Sequence, residues 1–215
     1  MDRMSLTRLS RRAIVAVGLL LAPLAMQAVP AAAAPSPAEA WVAQNVQQGL
    51  TILNKKQAQQ ARRDEFKTFL LGLIDIRAIS LYTLGSGART STPQQQDQFV
   101  EAFKEYASAV YYKYLAQYSG QTLKVTGSVA GRPNEWIVHT VLIDPHNPNN
   151  ADPFKVDFRV SQSSGKFLVK DACVEGIWLA ILEHDDFDSF LGQNGGNVGK
   201  LIDHLHKLTS DLQKG

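Results

Sequence analysis

The sequence predicts an α+β fold, in which a helical layer packs on a curved antiparallel sheet of four to five strands with an apolar pocket between the two layers. Three observations indicate this fold. Residues 36–120 repeat apolar side chains at helical spacing. Residues 122–174 alternate polar and apolar side chains, and their connections are too short for parallel crossovers. Residues from 182 onward return to helical spacing, so helices flank the sheet along the chain.

The first 34 residues are predicted to be a secretory signal peptide that precedes a single domain at residues 35–215. Four arginines lie before an apolar run, AIVAVGLLLAPLAM, which is too short to span a bilayer comfortably. The alanines at 31–34 suit a cleavage site. Arg11 and Arg12 also fit a twin-arginine export signal, so the Sec and twin-arginine routes both stay open.

Charge and cysteine content narrow the classes of function. The whole chain carries a formal net charge of +2, but residues 1–34 hold four Arg and one Asp, which leaves the rest at −1. The basic character therefore belongs to the leader, and we expect no nucleic-acid partner. The single cysteine, Cys173, cannot form an internal disulfide, and its place in a predicted strand indicates a buried, inert thiol.

Three helices are predicted before residue 85. A capping box, SPAE at residues 36–39, opens the first helix, which runs to about Lys56. A second helix is predicted at about 59–72, and Asp75 caps a short third helix that ends at Gly85. The corner between the first two helices holds a basic cluster: Lys55, Lys56, Arg62 and Arg63. This cluster is either a solvated helix surface or a contact for anionic headgroups or a partner.

The longest helix is predicted at residues 92–120. Thr92 suits the N-cap, Pro93 the first helical position, and Gly120 the C-terminal stop. One face carries a largely aromatic stripe made of Phe99, Phe103, Tyr106, Val110 and Tyr114. Such a stripe belongs either to a core helix packed on a sheet or to one wall of a ligand pocket, and both interpretations stay open at this point.

Four strands follow in meander order. The first alternates around Leu123, Val125 and Val129, and the second, residues 135–143, is apolar on both faces, as is typical of a central strand. Residues 154–161 alternate strictly, and residues 166–174 form the fourth strand. Beyond them the pattern predicts a short helix near Asp186 to Leu191 and a terminal helix from Asn197 to about Leu212.

The chain carries no motif of an established catalytic or metal site. The five histidines do not group, and the EHDD run at 183–186 is interpreted as a capping cluster at a helix start. GxSxG, HExxH, CxxC and phosphate-loop patterns are absent from the sequence. We therefore predict no catalytic residue, no metal, no cofactor and no enzyme activity. Apolar faces on several elements predict a pocket instead, lined by Leu70, Leu73, Ile76, Leu84, Phe103, Tyr106, Val110, Tyr114, Val125, Val138, Phe158, Val160 and Trp178.

The C-terminal third resembles the MlaC/toluene-tolerance family of periplasmic phospholipid carriers. There a strand ends in D-x-x-V-x-G-x-x-L before an acidic-Phe helix start, and this chain has Asp171, Val174, Gly176, Leu179 and Phe187 at those places. The resemblance extends over about residues 36–208. Three positions depart from the family pattern: Ala88-Arg89 replaces a Trp-Arg pair, Trp178 replaces a small residue, and His184 stands where arginine is common. The hopanoid-associated branch of the family fits as well.

The resemblance implies a soluble, monomeric periplasmic carrier of phospholipid or another membrane lipid. The pocket residues above would then be lipid-binding. The implied partners are an inner-membrane ABC transporter complex with its MCE-domain ring and an outer-membrane lipoprotein complex. Two alternatives stay open. One is a small α+β enzyme for an apolar substrate, for which His139 and Asp157 are the strand candidates, and the other is a non-catalytic envelope adaptor with a solid core.

Overall fold

The computed structural model describes residues 34–115 and 118–214, without the side chains of residues 114 and 115. Within this part, five helices precede a five-stranded sheet and two helices follow it. In chain order the elements are α1 (Pro37–Leu53), α2 (Gln59–Leu73), α3 (Ile76–Thr83), α4 (Gly87–Thr90), α5 (Pro93–Leu115), β1 (Thr122–Ala130), β2 (Glu135–Ile143), β3 (Lys155–Ser163), β4 (Lys166–Val174), β5 (Ile177–Trp178), α6 (Leu179–Gln193) and α7 (Val198–Lys214). The predicted α+β fold is confirmed.

The sheet is an antiparallel meander in the order β1-β2-β3-β4-β5. The free edge of β4 is covered in two places. β5 pairs with its last residues, and Ile74 forms a parallel bridge to Val169, where the Asp75 backbone N–H donates to the Val169 carbonyl at 3.1 Å. The segment between α2 and α3 is thereby fixed to the sheet.

The strand register sorts the side chains onto two faces. We call the face on which α1 packs the inner face. It carries Val125, Val138, Phe158 and Val160 together with Trp136, Thr140, Leu142, Val156, Ala172 and Val174. The outer face carries the residues that alternate with these, including the cross-strand pairs His139–Asp157 and Arg159–Asp171.

Polar contacts hold the start of α1 on β1. The Glu39 backbone N–H donates to Ser36 Oγ at 3.2 Å, which caps the helix as predicted. The hydroxyls of Ser36 and Ser128 hydrogen-bond at 2.8 Å, and Ser128 Oγ donates to Glu39 Oε1 at 2.7 Å. Further along α1, a Cβ on Gly49 would lie 3.0 Å from the Phe66 ring, so the missing side chain lets α2 approach closely.

Buried apolar side chains form two separate clusters. The helical cluster joins α3, α5, α6 and α7, and it contains Leu84, Phe99, Ala102, Phe103, Phe187, Leu191, Val198, Leu201, Ile202 and Leu205. The sheet cluster is smaller and joins α1 to the inner face through Ala38, Val42, Val138 and Val160. Within the described ranges, no helix is both long and apolar enough to cross a membrane.

Helix α6 differs most from its prediction. It begins at Leu179, well before the predicted start near Asp186, because the buried carboxylate of Asp171 accepts the Ala180 backbone N–H at 2.9 Å. The EHDD run therefore lies inside the helix, and its interpretation as a capping cluster was wrong. The long helix α5 ends by Leu115, and residues 118–120 are already outside it, so Gly120 is not its immediate stop.

Candidate functional site

A continuous apolar patch lies on the part of the inner face that α1 leaves uncovered. Cross-strand pairs join Leu123 to Leu142 and align Phe158 with Ala172 and Val138. We call seven half-buried apolar residues of this face the inner-face patch: Leu123, Val125, Leu142, Val156, Phe158, Ala172 and Val174. Val138 and Val160, by contrast, are fully buried beneath α1.

Polar atoms do not interrupt the patch. Thr140 is the polar side chain in its midst, and it is 1% exposed with its hydroxyl donating to the Val156 carbonyl. A satisfied hydroxyl presents no free donor to a ligand. The surface that remains is therefore suited to apolar groups rather than to charge.

Helix α2 reaches the sheet at β4, and α5 contacts α2. α2 packs on α1 near Gly49 and ends at the edge of β4, so it lies on the same side of the sheet as α1. The rings of Phe66 and Tyr111 stack with centroids 5.4 Å apart and join α2 to α5. Burial raises the pKa of Tyr111, which keeps the phenol neutral. Leu70, Leu73 and Val110 are half-buried on these two helices and belong to neither buried cluster.

The structure divides the thirteen predicted pocket residues between different surroundings. Leu84 and Phe103 are buried in the helical cluster, with Ile76 and Tyr106 packed against it. These four contribute to the core of the helical layer. Val138 and Val160 are core residues under α1, whereas Val125 and Phe158 border them and belong to the inner-face patch. The side chain of Tyr114 lies outside the described residues.

Trp178 lies apart from the other predicted residues. It pairs with Cys173 across β4 and β5, and its ring is covered by the Arg159 guanidinium at 4.5 Å. Both neighbours belong to the outer face, opposite Phe158. The bulky residue that departs from the family pattern therefore fills a place on the outer face, and we exclude it from the candidate site.

Sequence reasoning missed five members of the patch: Leu123, Leu142, Val156, Ala172 and Val174. The predicted list rests on helix and strand phase, yet it leaves out these five residues although their alternation is visible in the sequence. Strand phase would have placed Val156 on the same face as Phe158. The pairing of Leu123 with Leu142 depends on a β-bulge between Val125 and Gly127, and the alternation of polar and apolar residues does not predict this bulge.

Two clefts lie within the helical layer. One, of about 400 Å³, is lined by polar side chains of α2, α5 and α7, among them Lys67, Glu105 and Tyr112. The other, of about 290 Å³, lies between α5, α6 and α7, and Tyr106 is the one predicted residue that lines it. There Tyr106 donates to Glu183 Oε1 at 3.1 Å, and burial raises the pKa of Glu183.

His139, Asp157 and Cys173, whose side chains could take part in catalysis, lie on the outer face and not in the inner-face patch. His139 Nδ1 lies 3.1 Å from Asp157 Oδ2, and this pair is on the outer face. Cys173 is buried and free, and burial raises the pKa of its thiol. Among residues 34–115 and 118–214, no three His, Cys, Asp or Glu side chains are grouped closely enough to hold a metal ion.

The fold and site define an α+β class in which helices cover part of one sheet face and leave apolar surface beside it. Comparison with protein families then identifies the relatives. The family model described as MlaC protein matches residues 43–207, so the chain belongs to the MlaC family.

Two known proteins extend the comparison. The toluene tolerance protein ttg2D of Pseudomonas putida is 27% identical over 116 residues, which are 54% of this chain and 52% of that protein. The chain thus spans about half the length of this curated relative. A phospholipid-binding protein of Ralstonia solanacearum, solved in complex with a phospholipid, matches with a TM-score of 0.71. It is 24% identical, and the match covers 83% of this chain and 99% of that one, which establishes the shared fold.

Proposed function

We propose that this protein is a lipid carrier that holds the acyl chains of a phospholipid, or of a hopanoid-type lipid, against the inner-face patch. The single observation that carries the proposal is the patch itself. Its seven apolar side chains keep partial exposure on a sheet face flanked by α1 and α2, although the rest of the core is closed. A contiguous apolar surface that keeps partial exposure is typical of a site for an apolar ligand.

The energetics of lipid transfer require such a surface. Removing one methylene from water is worth about 0.8 kcal/mol, so two acyl chains with roughly thirty methylenes face a barrier on the order of 24 kcal/mol in free solution. A carrier lowers this barrier by offering the chains surroundings like the bilayer interior. The absence of charged groups among the seven patch residues suits release as well as uptake, because no strong polar contact has to be broken.

We further propose that the headgroup stays near solvent and that the carrier acts in the periplasm after export. It would receive lipid from one membrane complex and deliver it to another. The proposed partners are an MCE-domain ABC transporter complex in the inner membrane and a lipoprotein complex in the outer membrane. The fold shared with the phospholipid-binding Ralstonia protein supports the lipid assignment. The signal-like residues 1–34 support the compartment.

The enzyme alternative has less support. It needs a carboxylate or histidine aimed at the apolar ligand, and His139 and Asp157 instead face away from Phe158. A solid-core adaptor would not need half-buried apolar side chains beside a closed core. We therefore treat both as outcomes of the following experiment.

Native mass spectrometry tests the proposal. The full chain is expressed with export, recovered from the periplasm without detergent, and its bound molecules are extracted. We expect a mass increment that matches one phospholipid or hopanoid-type lipid. A clean protein mass, together with no uptake from mixed lipid vesicles, would refute lipid carriage and favour the adaptor. A small apolar metabolite in place of a lipid would favour the enzyme.

A further inference from the structure

The turn between α1 and α2 carries the densest positive charge in the described chain. Residues 55–67 hold five cations and two acids, in a chain whose residues 35–215 have a net charge of −1. We call this segment the cationic corner, with Lys55, Lys56, Arg62, Arg63 and Lys67 as its cations. It extends from the end of one helix into the first turns of the next.

Both acids of the corner are engaged within the protein. Glu65 accepts hydrogen bonds from Lys55 and from Gln57, and the bond from Lys55 is the main cause of its lowered pKa. Asp64 accepts from Tyr112 of α5 at 3.2 Å and from Gln60 at 3.0 Å. These contacts leave the positive charge of the corner in excess.

Four of the five cations of the corner have no carboxylate partner in the described part of the chain. The ion pairs found there do not include Lys56, Arg62, Arg63 or Lys67. Lys56 is exposed, and the two arginines lie in the second turn of α2. An excess of unpaired cations at one place on the surface attracts an anionic partner.

Stability of α2 does not explain these arginines. The first turn of α2 holds no acidic residue, and its N-cap, Ala58, makes no side-chain hydrogen bond. The helix dipole acts mainly on charges in the first turn, so it gives no stabilising role to Arg62 and Arg63 in the second turn. Neither arginine forms an ion pair in the described part of the chain that would stabilise α2.

We propose that the cationic corner docks on the surface of an anionic phospholipid membrane. Charge complementarity selects this occupant, and half-buried apolar side chains next to the cations favour a bilayer over an acidic protein. Phe69 and Leu70 follow the arginines within two turns of α2 and keep partial exposure, whereas Phe66 is buried. Docking at this corner would bring Phe69 and Leu70 toward the lipid surface. The docking does not depend on lipid carriage, but its role in lipid uptake rests on the proposed function.

The test uses protein recovered from the periplasm after export of the full chain. Flotation measures its binding to vesicles of phosphatidylcholine with or without about 30% phosphatidylglycerol. The test variant combines Lys56→Gln, Arg62→Gln and Arg63→Gln. The matched control combines Arg132→Gln, Lys166→Gln and Lys200→Gln, which removes three exposed cations from two hairpin turns and the start of α7.

Each cation near an anionic membrane strengthens binding by about fivefold, so we expect the corner variant to bind on the order of 100-fold more weakly. The control should stay within about threefold of the original protein, and binding should fall as salt rises. Failure of the original protein to bind anionic vesicles would overturn the proposal and favour an acidic protein as partner. Equal loss in both variants would overturn it too, because only overall charge would then matter.

Native mass spectrometry of the same samples separates this proposal from lipid carriage. Protein that is recovered without lipid and takes up none from mixed lipid vesicles, yet binds anionic vesicles through the corner, would refute lipid carriage and support the docking surface. Protein that is recovered with bound lipid but does not bind the vesicles would refute the docking proposal and support lipid carriage.

Discussion

Phe158→Asp is the substitution that addresses the inner-face patch most directly. Phe158 lies in the middle strand of the patch, paired with Val138 on one side and Ala172 on the other. Its ring packs against the sheet cluster while part of it stays exposed. A carboxylate at this position would meet the acyl chains of a bound lipid, and none of the other six patch residues carries a charge that could pair with it. We expect lipid co-purification to be abolished.

The magnitude follows from the cost of keeping that carboxyl group neutral. A free Asp has a pKa near 3.9, so protonating it at about pH 7.5 costs about 5 kcal/mol, or a factor of roughly 10³ to 10⁴ in lipid affinity. This is the upper limit, because partial exposure of the site lets water relieve some of the cost. Lipid occupancy should therefore fall at least about 100-fold at neutral pH.

The assay is native mass spectrometry of exported protein, with circular dichroism to establish that each variant is folded. Val129→Asp is the matched control, since Val129 is half-exposed on the outer face of the same sheet. It should keep its lipid. A bound lipid raises the pKa of the carboxyl group that Phe158→Asp introduces, so lipid uptake should recover as pH falls toward about 4, whereas Phe158→Asn should show no such recovery. Normal lipid stoichiometry in folded Phe158→Asp at neutral pH would refute the placement of the site.

Three further outcomes are expected. Val110→Glu, on the half-buried side of α5, should also lose co-purifying lipid, and normal lipid occupancy in the folded variant would remove α5 from the site. Gly49→Val should lower the free energy of unfolding by about 1–3 kcal/mol in urea titrations, because even a Cβ would lie 3.0 Å from the Phe66 ring; an unchanged midpoint would mean that α2 shifts without cost. Asp75→Asn should cost about 1–2 kcal/mol near pH 7, because Lys170 hydrogen-bonds to the carboxylate and lowers its pKa. That loss should vanish as pH falls through the lowered pKa, where the original carboxyl group is itself protonated, and a loss that persists in acid would contradict the charge pairing.

Strands and caps were predictable because their signals are local. Strands β2 and β4 have the predicted bounds, since their alternation and the turns that bound them lie within a few residues of each other. The cap of α1 by Ser36 was likewise visible in the sequence. The start of α6 was not, because the acceptor that fixes it, Asp171, lies nine residues earlier on another element. A contact between elements has no signature in the spacing of apolar residues.

The candidate site was predictable only in part for the same reason. Strand phase put Phe158 and Val160 on one face correctly, but their pattern could not indicate that α1 would bury Val160 and leave Phe158 partly open. Helix phase likewise identified the apolar face of α5, but it could not predict which elements would pack against each part of that face. Phe103 faces the helical core, whereas Val110, two turns on, belongs to neither cluster. Which apolar residues remain available to a ligand is decided by how the layers overlap.

The separation of the two buried clusters bears on how a carrier can exist both empty and loaded. The helical cluster closes without any member of the inner-face patch, and α1 covers its own end of the sheet through contacts that involve no ligand. α2 is held at its C-terminal end by the Ile74–Val169 bridge and by the Asp75–Lys170 ion pair. The elements around the patch are thus fixed by contacts of their own. For the proposed lipid carrier, the affinity of the patch for lipid can therefore stay low enough for release without lowering the stability of the empty protein.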